Sequence, residues 1–242
     1  MKFPHTFLLA LVPVVGLSAC GGSDPVVRFV HAAPLTPNLT LSHGTVVQPD
    51  VIDKPYKFAS NYFNVDIGQN TWSIKTTVGN VTLGSEPIDA SRGNKYTLVA
   101  LPSLNTDGGL YLIVDPYNKP LTSDSARLRI MNASFNAGNI DLYMSALGAD
   151  ITAATARPLI AATAYKTAGP ASGGDSVDIP GGTYKVTITT AGTKIILFTG
   201  QLAFGNNADL LLLSVPDLLL PGAIKTLVKF EGSSGVSEIS AL

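Results

Sequence analysis

The sequence is poor in the side chains that carry most enzyme chemistry at neutral pH. Its 242 residues include one cysteine and three histidines, of which His5 lies in an apolar leader. A single cysteine excludes an internal disulfide framework and any zinc site built from several thiolates. With so few histidines, a general base or a histidine-rich metal site has few possible positions. We therefore expect no metal site, no bound cofactor and no enzyme activity.

Charged side chains are also scarce, at 14% of the sequence, and 16 basic residues nearly balance 17 acidic ones. A net charge of −1 provides no attraction to a polyanion, so we expect no nucleic-acid partner. Apolar residues are plentiful, at 45%, and they are interrupted by 23 glycines and 16 prolines. Short apolar runs between turn-forming residues predict many strands and little helix.

The N-terminal segment has the pattern of an export signal. Lys2 precedes an apolar stretch, residues 6–17, that is too short to span a bilayer permanently. The stretch runs into residues 17–20, Leu-Ser-Ala-Cys, which resemble the lipobox of bacterial lipoproteins. Residues 1–19 are therefore predicted to be a cleaved lipoprotein signal peptide, Cys20 the acylated residue, and residues 20–25 a flexible tether.

This interpretation makes the membrane a partner of the chain, through acyl chains on its N-terminus. The predicted location is the bacterial cell envelope. Gly21 directly after the cysteine favours the outer membrane, by resemblance to Gram-negative lipoproteins. Whether the protein faces the periplasm or the cell surface stays open.

The chain also repeats itself, at two different offsets. The blocks at an offset of 101 are residues 27–33 with 128–134 and 38–41 with 139–142. The blocks at an offset of 112 are residues 65–68 with 177–180, 71–74 with 183–186, and 98–101 with 210–213. Separated blocks in one order indicate a duplication, with about eleven extra residues in the second copy.

Each copy consists of short apolar runs separated by Gly, Asn, Asp and Pro, the pattern of a sandwich or barrel. The predicted fold class is all-β, with two tandem immunoglobulin-like (Greek-key) β-sandwich domains, residues 26–120 and residues 121–242. The boundary falls in the polar stretch of residues 117–125, which contains Pro120. We expect few apolar contacts to join the two domains, so that each should fold alone.

The repeated residues resemble a known family. Residues 27–41 are similar to the opening of the bacterial envelope domain known as domain of unknown function 4397, and residues 96–97 and 182–184 fit its later Tyr-Thr and Gly-x-Tyr strands. Ala33 stands where Ser is usual, and Phe135 where Pro is usual. The resemblance covers nearly all of the mature chain in two copies. It implies a sandwich in the cell envelope and no particular activity.

Three pairs of polar residues occupy matched positions in the copies. They are Arg28 with Arg129, His31 with Asn132, and Asp66 with Asp178. Asparagine cannot act as a base near neutral pH, so the exchange of His31 for Asn132 predicts a shared hydrogen-bonding role at a strand end. The aspartates are expected to cap turns, with cation binding as the alternative. The arginines should pair with a carboxylate or pack their stems across a neighbour.

Aromatic residues offer the remaining candidate site. Trp72 matches Tyr184 in the repeat, which favours packing in the core or at a sandwich edge. Tyr56 and Tyr62 form, with Phe63, a second aromatic cluster nearby in the sequence. If these rings lie exposed beside Trp72, then Trp72, Tyr56 and Tyr62 provide a platform for a glycan or small molecule.

Our first hypothesis is a lipid-anchored cell-envelope protein of two β-sandwich modules with a non-catalytic structural, assembly or adhesive binding role. Its partner would be another envelope protein or a glycan. The alternative is a glycan- or small-molecule-binding lipoprotein that uses the aromatic surface. A hydrolase ranks third, because no serine, histidine and aspartate constellation is evident.

Replacing Cys20 by Ser tests the predicted anchor. The variant has no thiol to acylate, so it should lose metabolic lipid label and move from the membrane fraction to the soluble fraction. Fractionation with and without labelled fatty acid measures both effects. A Cys20→Ser protein that stays with membranes and still carries lipid label would show that the chain is not a lipoprotein.

Overall fold

The computed structural model describes residues 22–102, 109–116 and 124–242. Over these residues the chain is all-β and immunoglobulin-like, as the sequence predicts. The only helical turn within these ranges is the 3-10 helix Pro49–Val51. In this part of the chain no helix is both long and apolar enough to cross a bilayer. The predicted signal peptide and Cys20 lie outside the described residues.

Within the described ranges, eighteen strands form two halves that meet between residues 116 and 126. The strands of the first half are β1 (Val26–His31), β2 (Leu39–His43), β3 (Val46–Val47), β4 (Phe63–Asn64), β5 (Gly68–Thr76), β6 (Thr82–Ala90), β7 (Asn94–Leu101) and β8 (Gly109–Pro116). The strands of the second half are β9 (Ala126–Asn132), β10 (Ile140–Ser145), β11 (Ile160–Thr163), β12 (Ala168–Gly169), β13 (Val177–Ile179), β14 (Gly182–Thr190), β15 (Ile196–Phe204), β16 (Asp209–Pro216), β17 (Ile224–Phe230) and β18 (Ser237–Glu238).

The two halves have the same strand connectivity. In the first half, sheet A has the order β4-β1-β7-β8 and sheet B the order β3-β2-β5-β6. In the second half, sheet C has the order β12-β9-β16-β17-β18, with β13 also paired to β9, and sheet D has the order β11-β10-β14-β15. The first strand of each half pairs in parallel, β1 with β7 and β9 with β16. The second half therefore repeats the topology of the first.

The strand registers show which residues correspond. Phe29 lies opposite Leu98 in β7, and Ile130 lies opposite Leu212 in β16. The offset is thus 101 at the first strands but 114 at their partners, so the second half has gained 13 residues by that point. The difference is two more than the repeated blocks suggest. Because two residues is one full strand period, each side chain keeps its face of the sheet.

Two of the predicted matches are wrong as a result. Asp66 is not the counterpart of Asp178, and Trp72 is not the counterpart of Tyr184. The counterpart of Asp178 is Asn64, because Asn64 lies opposite Val26 and Asp178 lies opposite Arg127, the equivalent of Val26. In the same way, the counterpart of Trp72 is Val186, because Trp72 lies opposite His43 and Val186 lies opposite Met144, the equivalent of His43. The first half therefore has no aromatic residue at the position of Tyr184.

The four sheets stack in the order B, A, C, D. One apolar core lies between sheets A and B around Phe29, and a second lies between sheets C and D around Ile130. A third core joins sheet A to sheet C and includes Val30 and its equivalent Met131. Strands in the two inner sheets are therefore buried on both faces, which explains the four consecutive leucines, residues 210–213, in β16.

The third core contradicts the expectation that few apolar contacts join the halves. Val99 and Ile113 from the first half pack with Leu211, Leu213 and other residues of the second. All four of these side chains are at most 3% exposed. Their burial depends on the other half, so separating the halves exposes apolar surface. The domain limits themselves, residues 26–120 and 121–242, stay a prediction, and Pro120 lies outside the described residues.

Gly84 tests how closely sheets A and B approach at the edge where β6 passes β8. A Cβ atom at this position would lie 2.5 Å from the Leu110 backbone nitrogen and 2.8 Å from Gly109 Cα. Backbone atoms cannot swing away, so Gly84→Ala should destabilise the fold by about 1–3 kcal/mol. Gly148 is the matched control, since a Cβ atom added there would have nothing within 4 Å.

The comparison is made by denaturant unfolding of both variants. Gly148→Ala should change the free energy of unfolding by less than about 0.5 kcal/mol. Equal stability of the two alanine variants would show that the β6–β8 contact is looser than described.

Candidate functional site

A groove of about 500 Å³ opens on the first half, and we call it the Trp72 groove. It lies between the segment before β1, the β2–β3 hairpin, the turn after β4, and β5. Its lining residues are Asp24, Pro25, His43, Val46, Val47, Gln48, Pro49, Asn64, Val65, Asp66, Ile67, Asn70 and Trp72. The predicted site residues Trp72 and Asp66 are thus brought together here.

Trp72 and His43 form the aromatic wall of this groove. The β2–β5 register places them opposite each other, and their rings stack with centroids 5.1 Å apart and planes at 26°. Phe63 contacts Trp72 from another side, with ring centroids 5.6 Å apart. Trp72 is only 3% exposed, whereas His43 is half-buried. A ligand in the groove would therefore meet the imidazole rather than the indole face.

Asn70 holds the turn that forms one side of the groove. Its side-chain amide donates to the carbonyl oxygens of Asp66 and Gly68, both at 2.9 Å. Gly68 has a φ of 107°, which only glycine adopts without strain. The turn is therefore fixed by Asn70, not by the carboxylate of Asp66 as expected. The sequence signal for this role is an asparagine just after a glycine turn.

Apolar side chains form the rim of the groove. Val46, Val47 and Ile67 are 68%, 42% and 58% exposed. Exposed β-branched residues grouped around a concave surface are a common feature of binding sites. The two valines are not recognisable as site residues from the sequence, because a two-residue strand has no alternating pattern.

The predicted platform of Trp72, Tyr56 and Tyr62 does not form, since the three rings lie in different places. Tyr62 lies between Arg28 and Lys95, whose charged atoms are 4.8 and 5.1 Å from its ring centroid. Its burial raises the pKa of the Tyr62 hydroxyl to about 12. Tyr56 contacts the His31 ring edge-on instead, with centroids 6.3 Å apart. Only Trp72 belongs to the groove.

His31 and Asn132 make equivalent contacts at the ends of β1 and β9. The Ala33 N–H donates to His31 Nδ1 at 3.3 Å, and Nε2 lies 3.4 Å from the Pro37 carbonyl oxygen. In the second half, the N–H two residues on donates to Asn132 Oδ1 at 3.1 Å, and Nδ2 donates to the carbonyl six residues on at 2.7 Å. Both side chains tie a strand end to the following loop.

Burial also governs the charge of His31. The ring is 0% exposed, and desolvation lowers the pKa of His31 from 6.5 to about 4, against a smaller opposing effect of the Pro37 carbonyl. A neutral imidazole that both accepts and donates hydrogen bonds fits this position. A base this weak is poorly matched to proton transfer near neutral pH.

The matched arginines have different surroundings. Arg129 pairs with Asp115 at 2.7 Å and also donates to the backbone carbonyls of Pro170, Ala171 and Gly174. Arg28 donates through Nε to Thr97 Oγ1 at 2.9 Å. Both lie between sheets A and C and are at most 4% exposed. The expected carboxylate pairing is thus present at Arg129.

Cation binding, the alternative role of the two aspartates, requires several ligand side chains close together. No group of three or more His, Cys, Asp or Glu side chains is placed there to hold an ion. Asp178, a candidate turn cap, lies exposed in β13 opposite Arg127.

The fold and this groove define a class of protein, an all-β immunoglobulin-like sandwich. Within it, residues 25–143 carry a domain of unknown function, DUF4397. The match spans the first half, β9 and most of β10. That the second half is a further copy of this domain stays a prediction.

Other comparisons give only remote likeness. No curated protein matches the sequence. Among solved structures, the chain is similar to family 41 carbohydrate-binding modules from streptococcal virulence factors, described as recognising alpha-glucan, with 13% identity, coverage of 77% of this chain and 93% of that one, and a TM-score of 0.25. It is also similar to a family 26 carbohydrate-binding module from Eubacterium rectale Amy13K, in complex with maltoheptaose, with 9% identity, coverage of 90% and 98%, and a TM-score of 0.24. Neither likeness identifies a ligand for this chain.

The depressed pKa of His31 predicts a pH-dependent stability. Unfolding restores the ordinary pKa of 6.5, so between pH 6.5 and 4 the unfolded chain takes up a proton that the folded chain does not. The contribution of neutral His31 is therefore fully present above pH 6.5 and is lost as the pH falls towards 4. The loss amounts to about 3 kcal/mol.

His31→Asn should remove this loss while keeping the fold, because Asn132 fills the same role in the second half. His31→Ala should cost about 1–3 kcal/mol at pH 7, since it leaves the buried Ala33 N–H without its acceptor. Urea unfolding of the three proteins at pH 7 and pH 4.5 provides the test, and effects of other titrating groups cancel in the differences. If wild type and His31→Asn lost equal stability on acidification, His31 would not be the buried neutral group described.

Proposed function

We propose that this chain is a lipid-anchored cell-envelope protein with a non-catalytic binding role, and that the Trp72 groove binds its ligand. The anchor would be acylated Cys20, which lies outside the described residues, and the location would be the outer membrane. The observation that carries the binding role is the groove itself, which joins exposed apolar side chains to fixed polar groups in one concave surface.

The chemistry of the lining favours binding over catalysis. Among the described lining residues, none is a serine, threonine, cysteine, lysine or tyrosine, so the groups there that could take part in catalysis are His43, Asp24 and Asp66. His43 stacks on Trp72, and the groove lining contains no serine that His43 could activate. A groove with hydrogen-bonding amides, an aromatic wall and no hydroxyl, thiol or amine nucleophile suits recognition without reaction.

The ligand class that fits best is a neutral glycan. Asn64 and Gln48 offer amides that both donate and accept hydrogen bonds, as sugar hydroxyls do. The imidazole of His43 and the side chains of Val46 and Ile67 can pack against the apolar face of a sugar ring. Asp24 and Asp66 line the same groove, so an acidic glycan would meet charges of its own sign.

A structural role, as a rigid spacer or assembly component, is the second candidate. The third core favours it, because it joins the two sandwiches into a single four-layer stack. Such a stack resists bending between its halves, unlike domains connected only by a linker. In this case the partner would be another envelope protein.

Glycan-array binding of the lipid-free Cys20→Ser protein tests the groove. Neutral oligosaccharides should bind in preference to acidic ones. Val46→Asp places a charge on the apolar rim and should weaken binding about tenfold, the equivalent of about 1.4 kcal/mol. Val78→Asp is the matched control, since Val78 is 83% exposed in the β5–β6 turn and is not part of the groove lining.

Calorimetric titration with the best array ligand gives the affinities of the three proteins. Equal affinity of Val46→Asp and Val78→Asp would place the ligand elsewhere on the molecule. Absence of binding to every neutral oligosaccharide would reject the glycan proposal and leave the structural role.

A further inference from the structure

A second cavity lies between the two halves, where sheets A and C face each other, and we call it the interface crevice. Its volume is about 250 Å³. The first half contributes Arg28, Ser60, Asn61 and Tyr62 to its lining, and the second half contributes Lys229 and Glu231. None of these residues lines the Trp72 groove.

Arg28 is a buried cation whose hydrogen-bonding capacity is mostly unused. It is 4% exposed, and its only hydrogen bond within the described residues runs from Nε to Thr97 Oγ1. Its guanidinium carbon lies 4.8 Å from the centroid of the Tyr62 ring. Arg129, at the same position in the second half, has Asp115 and several carbonyls around its terminal nitrogens. The terminal nitrogens of Arg28 have no such partners in the part of the chain described.

Lys229 is the second buried cation at the crevice. It is 1% exposed, and its Nζ donates to the Ser233 backbone oxygen and, at 3.5 Å, to Ser233 Oγ. Burial and the nearby charge of Arg28 lower the pKa of Lys229 to about 8. No carboxylate of the described residues forms a salt bridge with Lys229 or Arg28. Two like charges therefore share one cavity, and Glu231, the carboxylate in its lining, forms a salt bridge with neither of them.

The carboxylates at and near the crevice form ion pairs with cations other than Arg28 and Lys229, or lie beside one another. Glu231 pairs with Lys95 at 2.5 Å, and Asp115 pairs with Arg129 at 2.7 Å. Asp209 lies beside Glu231, and burial together with that neighbouring charge raises the pKa of Asp209 to about 6. Because two buried cations cost free energy unless they are compensated, the cavity favours the entry of an anion.

We propose that the interface crevice binds a small oxyanion, a carboxylate or a tetrahedral anion of the phosphate and sulfate type. Its oxygens would accept hydrogen bonds from the terminal nitrogens of Arg28 and from Lys229 Nζ. Arginine presents its terminal N–H groups as a planar fork that matches two oxygens of one anion. The crevice has the volume of about eight water molecules, at about 30 Å³ each, which suits a ligand of a few heavy atoms.

Binding should strengthen in mild acid. The titratable groups around the crevice come from every element packed there: Arg28 of β1, Tyr62 before β4, Lys95 of β7, Asp115 of β8, Arg129 of β9, Asp209 of β16, and Lys229 and Glu231 at the end of β17. Asp209 is the group that gains a proton as the pH falls through about 6. Its protonation removes a negative charge that competes with the ligand.

The test uses the Cys20→Ser chain and two probes, sodium sulfate and sodium acetate, each compared with sodium chloride at equal ionic strength. At least one probe should raise the thermal unfolding midpoint above its value in chloride, and by more in wild type than in Arg28→Gln, because the general stabilising effect of sulfate acts on both proteins. The affinity for sulfate, which stays doubly charged throughout, should be about threefold or more higher at pH 5.5 than at pH 7.5. A response to sulfate alone assigns a tetrahedral anion, and a response to acetate alone assigns a carboxylate.

Variants locate the site. Arg28→Gln should weaken binding about tenfold or more, whereas Arg157→Gln, at an exposed arginine outside the crevice, should not change it. Lys229→Met removes the other positive charge and keeps a side chain of similar length. If Arg28→Gln does not fold, the effect of Lys229→Met on anion affinity tests the site instead. The proposal is overturned if neither probe acts beyond chloride, or if the folded crevice variants bind as tightly as wild type.

Discussion

The contact between sheets A and C is the constraint on which the rest of the structure depends. It turns two inner sheets into layers with no solvent face, so most side chains on both faces of their strands are apolar. It also explains how the chain does without disulfides, since a protein with a single cysteine relies on packing alone. The four-layer stack buries more apolar surface than two separate sandwiches of the same length would.

The same contact creates a cost, because polar side chains of the inner sheets have no route to water. Arg129 shows how the cost is met, with a carboxylate at 2.7 Å and backbone carbonyls around one guanidinium. Arg28 shows a position where the described side chains do not meet it. The arginine at this matched position thus has a structural role in the second half, and we propose a ligand-binding role for it in the first half.

The sequence predicts the fold well because the fold is repetitive and its turns are marked. Gly79 and Asn80 have positive φ at the turn between β5 and β6, a conformation that Gly and Asn adopt readily, so residue type alone marks this hairpin. The stacking of sheet A on sheet C cannot be predicted this way. A strand buried on both faces has the same apolar run whether it lies in one core or between two.

The sites are harder to predict for a related reason. Trp72 is recognisable as an aromatic on a strand, but its partner His43 becomes its neighbour only through the β2–β5 register. Lys229 is one of two lysines in β17, and the sequence does not show which groups it faces. Tyr56 and Tyr62 are close in sequence yet lie in different surroundings. Local sequence determines residue type, whereas these sites depend on pairing between distant strands.

The third core has the character of a homodimer interface enclosed in one chain. This core contains Val30 and its equivalent Met131, and also Val99 and its equivalent Leu213. Each half therefore presents the same face to the other, as subunits of a two-fold dimer do. Because the two halves belong to one chain, they meet at an effective concentration of about 1 mM rather than by free diffusion. At that concentration, an interface with a dissociation constant of only about 1 μM would be dissociated in about one molecule in a thousand. The interface is thus free to accumulate charged residues that a dimer of separate chains could not tolerate.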